Sequence, residues 1–321
     1  MRFAVISDTH FYAPGNGRDG TWWNRTLSSR SLEIGRCLVG SLRALSPDFV
    51  IHCGDLPGTY DLRDWEAALS VMEGLGCPWY GVIGNHETWN PGIRAAFASR
   101  FGLPGDRCYH AQTLGGLRFV FLDTCHWRSR DGACSPYLDR DLFDSGRIDG
   151  LVVPPEELEW LSDELEAAHD LPVCLVSHAP LGFKPLYPVA TLPKGRPADP
   201  GGTPLERFND RAGSIGDIVN RTEVRAVVAR HRRVRAAFAG HVHIHDFHRE
   251  GGIGYCMTGA LREYPFEFRL VEVVEGSPCK TLRVTTHGLH DAQYAGASYV
   301  PEWRNRWVAG SESDRTFTIA L

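Results

Sequence analysis

Two histidines separated by one residue, His241 and His243, follow the apolar run 236–239 late in the chain. If this backbone is extended, the two imidazoles lie on the same face of a strand. If it is a loop, they flank one small target, and the preceding glycine lets the backbone approach a neighbour closely. Two imidazoles at this spacing are typical of a metal site. The alternative is a histidine-rich surface turn, because His245 and His248 follow directly.

Polar residues that commonly bind metals also follow four earlier apolar runs. These segments are Asp8-Thr9-His10, Gly54-Asp55, Gly84-Asn85-His86-Glu87 and Ser177-His178. Each segment alone is a weak signal, since such short combinations often arise by chance. Together they supply carboxylates, imidazoles and an amide, a ligand set that suits Fe, Mn or Zn. The sequence therefore predicts a metal centre to which five separate segments contribute.

The segments that carry these residues alternate between strand and helix patterns. Apolar runs at 2–7, 48–53 and 79–83 have the length of buried strands, and residues 27–45 repeat leucines at helical spacing. Short strands that alternate with helices indicate an α/β sheet with parallel neighbours. In such sheets functional residues collect at the carboxyl ends of strands, where all five polar segments lie.

The rest of the chain has a more varied pattern. We expect a hairpin over 107–123, irregular structure in the polar insert 124–153, a helix from Pro154 and another around 215–231, and strands at 173–176, 234–239, 253–258, 266–274 and 281–286. The segment 179–204 holds seven prolines, which predicts a lid or binding loop. The expected organisation is a catalytic domain over 1–290 with two inserts, 124–153 and 179–204. An extension over 291–321 is expected to pack on that domain.

Composition excludes several classes of protein. The net charge of -5 over 321 residues argues against sequence-independent binding of nucleic acid through a basic surface. Nine cysteines form no CxxC pair, which favours free thiols in a reducing cytoplasm. The chain opens directly on a strand pattern, so no leader is predicted, and no apolar run approaches a membrane span. The sequence does not determine the oligomeric state and is compatible with a homo-oligomer.

The five polar segments, in this order, resemble the signature of the calcineurin-like metallophosphoesterase superfamily: D-x-H, G-D, G-N-H-[ED], H and G-H-x-H. The resemblance covers residues 3 to about 260. Within the superfamily, the chain is similar in particular to the bacterial class III cyclic-nucleotide and glycerophosphodiester phosphodiesterases. The resemblance implies a four-layer α/β/β/α sandwich with two mixed sheets, in which metals lie at strand ends between the sheets.

The resemblance also implies roles for individual residues. One metal ion would be bound by Asp8, His10, Asp55 and His243, and the other by Asp55, Asn85, His178 and His241. Asp55 is the implied bridge, because a carboxylate has one oxygen for each ion. His86 is the implied general acid or transition-state stabiliser, since an imidazolium can protonate an alkoxide leaving group.

The implied activity is the hydrolysis of a phosphoester by a metal-bound hydroxide, with two Fe, Mn or Zn ions as cofactors. A small-molecule phosphodiester, cyclic-nucleotide or glycerophosphodiester-like, is the expected substrate. One alternative is a phosphomonoesterase or protein phosphatase built on the same core. The other is a non-catalytic metal-binding scaffold, against which the full set of ligand residues counts.

Several neighbouring residues allow two interpretations. His52 is expected in the core or behind the ligands. Arg262 and Glu263 either reach the substrate phosphate or pair with each other. Trp22 and Trp23 either stack on a nucleobase or pack under their loop.

Overall fold

Two six-stranded sheets form the centre of the computed structural model, which describes residues 1–182, 218–276, 279–289, 292–300 and 308–321. The strands are β1 Arg2–Ile6, β2 Phe49–His52, β3 Trp79–Gly81, β4 His110–Leu114, β5 Leu117–Phe121, β6 His126–Ser129, β7 Cys134–Ser135, β8 Ile148–Val152, β9 Val173–Val176, β10 Val234–Ala239, β11 Asp246–Glu250, β12 Ile253–Met257, β13 Glu267–Val274, β14 Thr281–Gly288 and β15 Thr316–Ala320.

Helices connect many of these strands. They are α1 Ser31–Leu45, α2 Leu62–Glu73, α3 Pro91–Arg100, α4 Arg140–Asp144, α5 Pro155–Ala167, α6 Arg221–Ala229, α7 Ala292–Ser298 and α8 Glu312–Arg315, with short 3-10 turns at Ser28–Arg30 and Glu87–Trp89. Helix α5 begins as predicted, with a proline and two glutamates in its first turn, where they suit the helix dipole.

Both sheets are mixed. The first has the order β15-β14-β13-β1-β2-β3, and the second has the order β11-β12-β10-β9-β5-β4. Strands β1 to β3 run parallel, as do β5, β9, β10 and β12, whereas the outer neighbours pair antiparallel. The five polar segments of the sequence follow β1, β2, β3, β9 and β10, so each leaves the carboxyl end of a parallel strand.

The strands are apolar on both faces because each sheet is covered on both sides. Phe3 points between the sheets, where its ring lies 5.4 Å from Phe119 and 6.0 Å from Phe238. Its neighbour Ala4 faces outward and belongs to the same apolar cluster as Leu38 of α1. Helix α1 lies against the first sheet, where Arg2 of β1 donates to the carbonyl of Leu45. Helix α5 lies against the second sheet, where Arg118 of β5 donates to Glu164. The predicted four-layer sandwich is confirmed.

The prediction of irregular structure for the insert 124–153 is wrong. Strands β6, β7 and β8 form a small antiparallel sheet, and α4 lies between β7 and β8. Trp127, Ile148 and Leu151 are buried and attach this sheet to the main core. Strand β7 has only two residues, which is too short for an alternating pattern to be recognised.

Other expectations meet mixed outcomes. The hairpin β4–β5 and the strands β12 to β14 are confirmed. From residue 183 onward the proline-rich segment lies outside the described residues. Strand β15 forms the edge of the first sheet, and its Phe317 and Ile319 enter the core between the sheets. The boundary at residue 290 stays a prediction.

All nine cysteines are free thiols, five of them buried. None of the helices in the described ranges combines the length and apolar character needed to cross a bilayer.

Candidate metal centre

The loops after five parallel strands meet at one edge of the molecule, between the two sheets. They bring together the seven predicted ligand side chains, all of them buried, with the partly buried imidazole of His86 beside them. The seven are Asp8, His10, Asp55, Asn85, His178, His241 and His243. Groups of three drawn from these residues and His86 place their donor atoms within 4.8 Å of one another.

One group of donor atoms surrounds Asp8. His243 Nε2 lies 3.2 Å from Asp8 Oδ1 and 3.4 Å from His10 Nε2. His10 Nε2 in turn lies 3.6 Å from Asp55 Oδ2. Donor atoms around an ion with bonds of about 2.0 to 2.2 Å lie roughly 2.9 to 3.6 Å apart. These three distances fall in that range and a fourth, His10 Nε2 to Asp8 Oδ1, is 3.9 Å, so the group is compact enough to hold one metal ion.

A second group surrounds His178. Its Nε2 lies 3.0 Å from Asn85 Oδ1, 3.0 Å from His241 Nδ1 and 3.4 Å from Asp55 Oδ1. Asp55 thus presents Oδ2 to the first group and Oδ1 to the second. The two groups have the membership predicted for the two metal ions, and the ligand role of each residue stays a prediction.

Five of the seven residues have left-handed backbone conformations. The φ angles are 49° for Asp8, 43° for His10, 57° for Asp55, 69° for His241 and 60° for His243. Such angles are uncommon outside glycine and cost about 1 to 3 kcal/mol each. His241 and His243 therefore lie in a loop past β10 instead of extended backbone, which sends the two imidazoles to different groups.

Two glycines of the motifs allow close approach of the loops. A Cβ atom on Gly240 would overlap the side chains of Ser7 and Asp8, and one on Gly84 would overlap Asp55. His241 N donates to Asp8 Oδ2 at 2.9 Å across the first of these contacts. The expectation of close backbone approach at Gly240 is confirmed, and the neighbour is the strand-end loop of β1.

The electrostatics of the second group favour a cation. His178 Nδ1 lies 2.7 Å from the carbonyl of Cys53, which only accepts, so Nδ1 donates and a neutral ring turns its Nε2 lone pair towards Asp55 and Asn85. His178 Nε2, Asn85 Oδ1 and Asp55 Oδ1 each present a lone pair to the others, so a proton or a metal ion is needed between them. Burial lowers the pKa of His178, but the charges of Asp55 and Asp8 outweigh it and raise the pKa to about 9.

The carboxylates of both groups remain ionised at neutral pH. Burial raises the pKa of Asp55, but the charges of His178 and His86 outweigh burial and hold it well below its usual range. Burial also raises the pKa of Asp8, but the charge of His243 outweighs burial and lowers that pKa. Asp8 Oδ1 is buried and accepts no hydrogen bond. A buried, ionised oxygen facing two imidazoles is suited to a metal ion.

His86 lies beside these groups. Its Nδ1 donates to the carbonyl of Gly58 at 2.8 Å, and its Nε2 lies 3.8 Å from Asp55 Oδ2. The ring stacks on Trp89 with 4.6 Å between ring centres. Burial lowers the pKa of His86, Asp55 partly opposes this shift, and Arg262 adds to it. The bond to Gly58 fixes the ring so that Nε2 is the atom facing the metal centre.

Two buried glutamates hold the ligand loops, and neither role was predicted. Glu263 accepts from His243 Nδ1 at 2.8 Å and from the amide of Asn24 at 2.7 Å. Glu87 accepts from the amides of Leu56 and Gly84 at 2.8 and 3.0 Å, which joins the loops after β2 and β3. Burial and the charge of Asp55 raise the pKa of Glu87 to about 8.

A sequence signal existed for only one of the two glutamates. Glu87 ends the G-N-H-E motif, so its type and position were visible. Glu263 lies 20 residues after His243 with no motif between them.

The two adjacent tryptophans have different surroundings. Trp23 is buried, and its Nε1 donates to the carbonyl of Val242 at 2.7 Å. Trp22 is 39% exposed, and its ring centre lies 6.1 Å from that of His243. Trp23 therefore packs under the site, while Trp22 stands at its rim.

The neighbouring histidines do not join the metal groups. His52 is buried behind the ligands, between Thr9 and the amide of Gly54, as expected. His245 is buried and accepts from the amide of Gly259, and His248 lies on β11 with its ring stacked on Tyr255. The alternative of a histidine-rich surface turn is wrong for His245, which lies in the core, and His248 lies on β11.

The small sheet of the insert contacts the ligand loops. Trp127 Nε1 donates to Thr88 Oγ1 at 2.8 Å, and that hydroxyl donates to the carbonyl of Asn85 at 2.7 Å. Thr124 Oγ1 accepts from the amide of Ala179, the residue after His178. The insert therefore supports the two loops that carry Asn85 and His178.

Comparisons with known proteins agree with this geometry. The chain is 27% identical over 212 residues to a probable cyclic nucleotide phosphodiesterase of Synechococcus sp., a match that covers 64% of this chain and 62% of that relative. It is 26% identical over 273 residues to the manganese-dependent ADP-ribose/CDP-alcohol diphosphatase of Oryza sativa subsp. japonica, covering 75% of this chain and 77% of the relative. The chain thus spans less than two thirds of the Synechococcus relative.

The fold matches a solved structure, a dimetal phosphatase from Danio rerio, with a TM-score of 0.63 and 16% identity, covering 91% of this chain and 97% of the other. The family model for calcineurin-like phosphoesterases matches residues 1–245. That match contains all five polar segments, from Asp8 to His243, and the predicted family is confirmed. The chain belongs to the calcineurin-like phosphoesterase family.

Proposed function

We propose that this protein is a dinuclear metal-dependent hydrolase of small-molecule phosphodiesters. The observation that carries the proposal is the position of Asp55 between two groups of buried donor atoms. Asp8, His10 and His243 would complete the site of one ion, and Asn85, His178 and His241 that of the other. In both sites Asp55 supplies the remaining ligand oxygen.

Two divalent ions held in this way would neutralise charge on the phosphoryl oxygens and lower the pKa of bound water. The residues of the chain supply orientation and proton transfer. Nδ1–H of His86 donates to the Gly58 carbonyl, so Nε2 carries a proton for the leaving group only when the ring is an imidazolium. The stacked ring of Trp89 keeps the imidazole in this position.

The proposed substrates are cyclic-nucleotide or glycerophosphodiester-like molecules. Support comes from the Synechococcus relative, which is a probable cyclic nucleotide phosphodiesterase, and from the rice relative, which is an ADP-ribose/CDP-alcohol diphosphatase. The name of the rice enzyme also makes manganese the first ion to test among Fe, Mn and Zn. The net charge of -5 disfavours a long polyanionic substrate.

The test is hydrolysis of bis(p-nitrophenyl) phosphate by the purified, manganese-loaded protein, with metal content measured by elemental analysis. His86→Ala should lose most of the turnover and keep both ions, because His86 is not assigned as a ligand of either. Asp55→Ala should lose both ions. A matched control is His248→Ala, whose imidazole stacks on Tyr255 and contacts neither group of donor atoms.

Each alternative has its own outcome. Faster hydrolysis of p-nitrophenyl phosphate than of the diester would favour a phosphomonoesterase. Two bound ions with no hydrolysis of any phosphoester would favour a non-catalytic scaffold. Full retention of one ion in Asp55→Ala would contradict the bridging position.

A further inference from the structure

Arg262 is held beside the metal centre by its neighbours in the chain. Leu261 N donates to the carbonyl of Asp8 at 3.3 Å, and Glu263 accepts from His243 Nδ1. The carbonyl of Arg262 itself accepts from the amide of Leu27 at 2.9 Å. The residues on both sides of Arg262 are therefore bonded to members of the first group of donor atoms, and its backbone has little freedom to move away.

The guanidinium of Arg262 has no protein partner in the part of the chain that the structure describes. Its side chain is partly buried, and Nε is buried without a hydrogen bond. Glu263, the adjacent carboxylate, is already occupied by His243 and Asn24. The interpretation in which Arg262 and Glu263 pair with each other is therefore wrong.

Arg94 and Arg269 are more deeply buried, and each has acceptors for two of its three guanidinium nitrogens, with only Arg94 Nη1 and Arg269 Nε unbonded. Arg94 donates to the Asp123 carboxylate and to the carbonyl of Asp106. Arg269 donates to the hydroxyl of Thr286 and to backbone carbonyls. Burying a charged group without a partner is unfavourable, so an arginine that lacks acceptors is expected to have a ligand.

The charge of Arg262 reaches the site. It contributes to lowering the pKa of His10 and of His86, after burial in each case, and it opposes the raised pKa of His243. Three imidazoles around the first group of donor atoms therefore lie in the field of this guanidinium. The positive charge of Arg262 would repel metal ions in the site, and an anion bound between the guanidinium and the ions would offset that repulsion.

We propose that Arg262 binds the phosphate group of the substrate through its guanidinium. This inference rests on the proposed function and assigns a residue that binds a non-bridging phosphate oxygen. The planar guanidinium can donate two parallel hydrogen bonds to a phosphate, which a lysine cannot. The same contact would bind inorganic phosphate, the simplest ligand with this chemistry.

The experiment measures phosphate binding to the metal-loaded protein by calorimetry, together with kcat and KM for bis(p-nitrophenyl) phosphate. Arg262→Met keeps the volume of the side chain and removes its charge and donors. We expect its Kd for inorganic phosphate and its KM to rise about tenfold to a hundredfold, the range for a lost charge-assisted hydrogen bond. Metal content and thermal unfolding temperature should match wild type. Arg262→Lys should recover part of the affinity.

Arg225→Met is the matched control, because Arg225 on α6 pairs with Glu250 and contacts no residue of the metal centre. Equal phosphate affinity in wild type and Arg262→Met would overturn the inference even if the enzyme hydrolyses phosphodiesters. Absence of phosphate binding by the metal-loaded wild type would overturn it too. Loss of phosphate binding in Arg262→Met alone would support it, even if the wild type hydrolysed no ester and the proposed function failed.

Discussion

His243 Nδ1 lies 2.8 Å from the buried carboxylate of Glu263. The carboxylate only accepts, so the ring proton resides on Nδ1 and Nε2 turns its lone pair towards Asp8 and His10. A carboxylate behind a metal-binding histidine fixes the tautomer of the ring and raises the basicity of the ligand nitrogen. Glu263 is therefore a positioning residue for His243.

Replacing Glu263 with glutamine should weaken metal binding. Glu263→Gln keeps the shape of the side chain but removes the negative charge that orients His243. We expect the affinity for one of the two ions to fall about 10- to 100-fold, as for other residues behind metal ligands. Competition with a chelator of known affinity measures this change directly.

The control for this prediction is Glu272→Gln, which removes a carboxylate that pairs with Arg2 and Arg283 on the outer part of the first sheet. That variant should bind both ions as wild type does. Unchanged affinity in Glu263→Gln would mean that His243 keeps its orientation without the carboxylate, and the positioning role would be lost.

Trp127 should couple the insert to the metal centre. Trp127→Phe keeps an aromatic ring next to Phe143 and removes the Nε1 donor to Thr88, whose hydroxyl holds the Asn85 carbonyl. The lost buried hydrogen bond should lower the free energy of unfolding by about 1 to 3 kcal/mol. It should also weaken binding of the ion proposed for the Asn85 group more than binding of the other ion.

Denaturant unfolding and metal titration measure the two effects on the same variant. Trp160→Phe is the matched control, since Trp160 on α5 packs on Tyr109. If the two variants lose equal stability and bind metal equally well, the insert does not support the Asn85 loop.

His110 should make the protein less stable in acid. Its ring stacks on Phe121, and its Nε2 donates to the carbonyl of Gly81 at 3.2 Å, which links an edge strand of the second sheet to the first. Burial lowers the pKa of His110 to about 4, against 6.5 for an ordinary histidine. Because the folded pKa lies below the unfolded one, this contribution to stability is complete above pH 6.5 and is lost as the pH falls towards 4.

His110→Gln keeps a donor for Gly81 and does not titrate. Between pH 7 and pH 5 the wild type should lose about 2 kcal/mol more free energy of unfolding than this variant. Denaturant titrations at the two pH values give the comparison, and the contribution of bound metal cancels because both proteins carry the same centre. Equal losses in the two proteins would contradict the predicted shift.

The strand-end residues of the site were predictable because each follows an apolar run and each has a side chain that binds metals. His241 and His243 illustrate the limit of such a pattern, since only their left-handed backbone sends them to different groups. Glu263 was not predictable as a partner of His243, because their contact depends on how β11 and β12 return the chain to the site. In the insert, β7 has only two residues, which is too short for an alternating pattern to indicate a strand.

Trp22 should affect the choice of substrate, whereas Trp23 should affect the stability of the site. Trp22 stands 39% exposed at the rim, 6.1 Å from His243 between ring centres, and a free indole face can stack on an aromatic group of the substrate. Trp22→Ala should raise KM for bis(p-nitrophenyl) phosphate about tenfold, the lower range for stacking on one ring. KM for a glycerophosphodiester should stay unchanged, and Trp22→Phe should restore most of the difference.

Trp23→Phe, which loses the bond to Val242, should lower stability without separating the two substrates. An equal rise in KM for both substrates in Trp22→Ala would mean that Trp22 shapes the loop and does not contact the aromatic group.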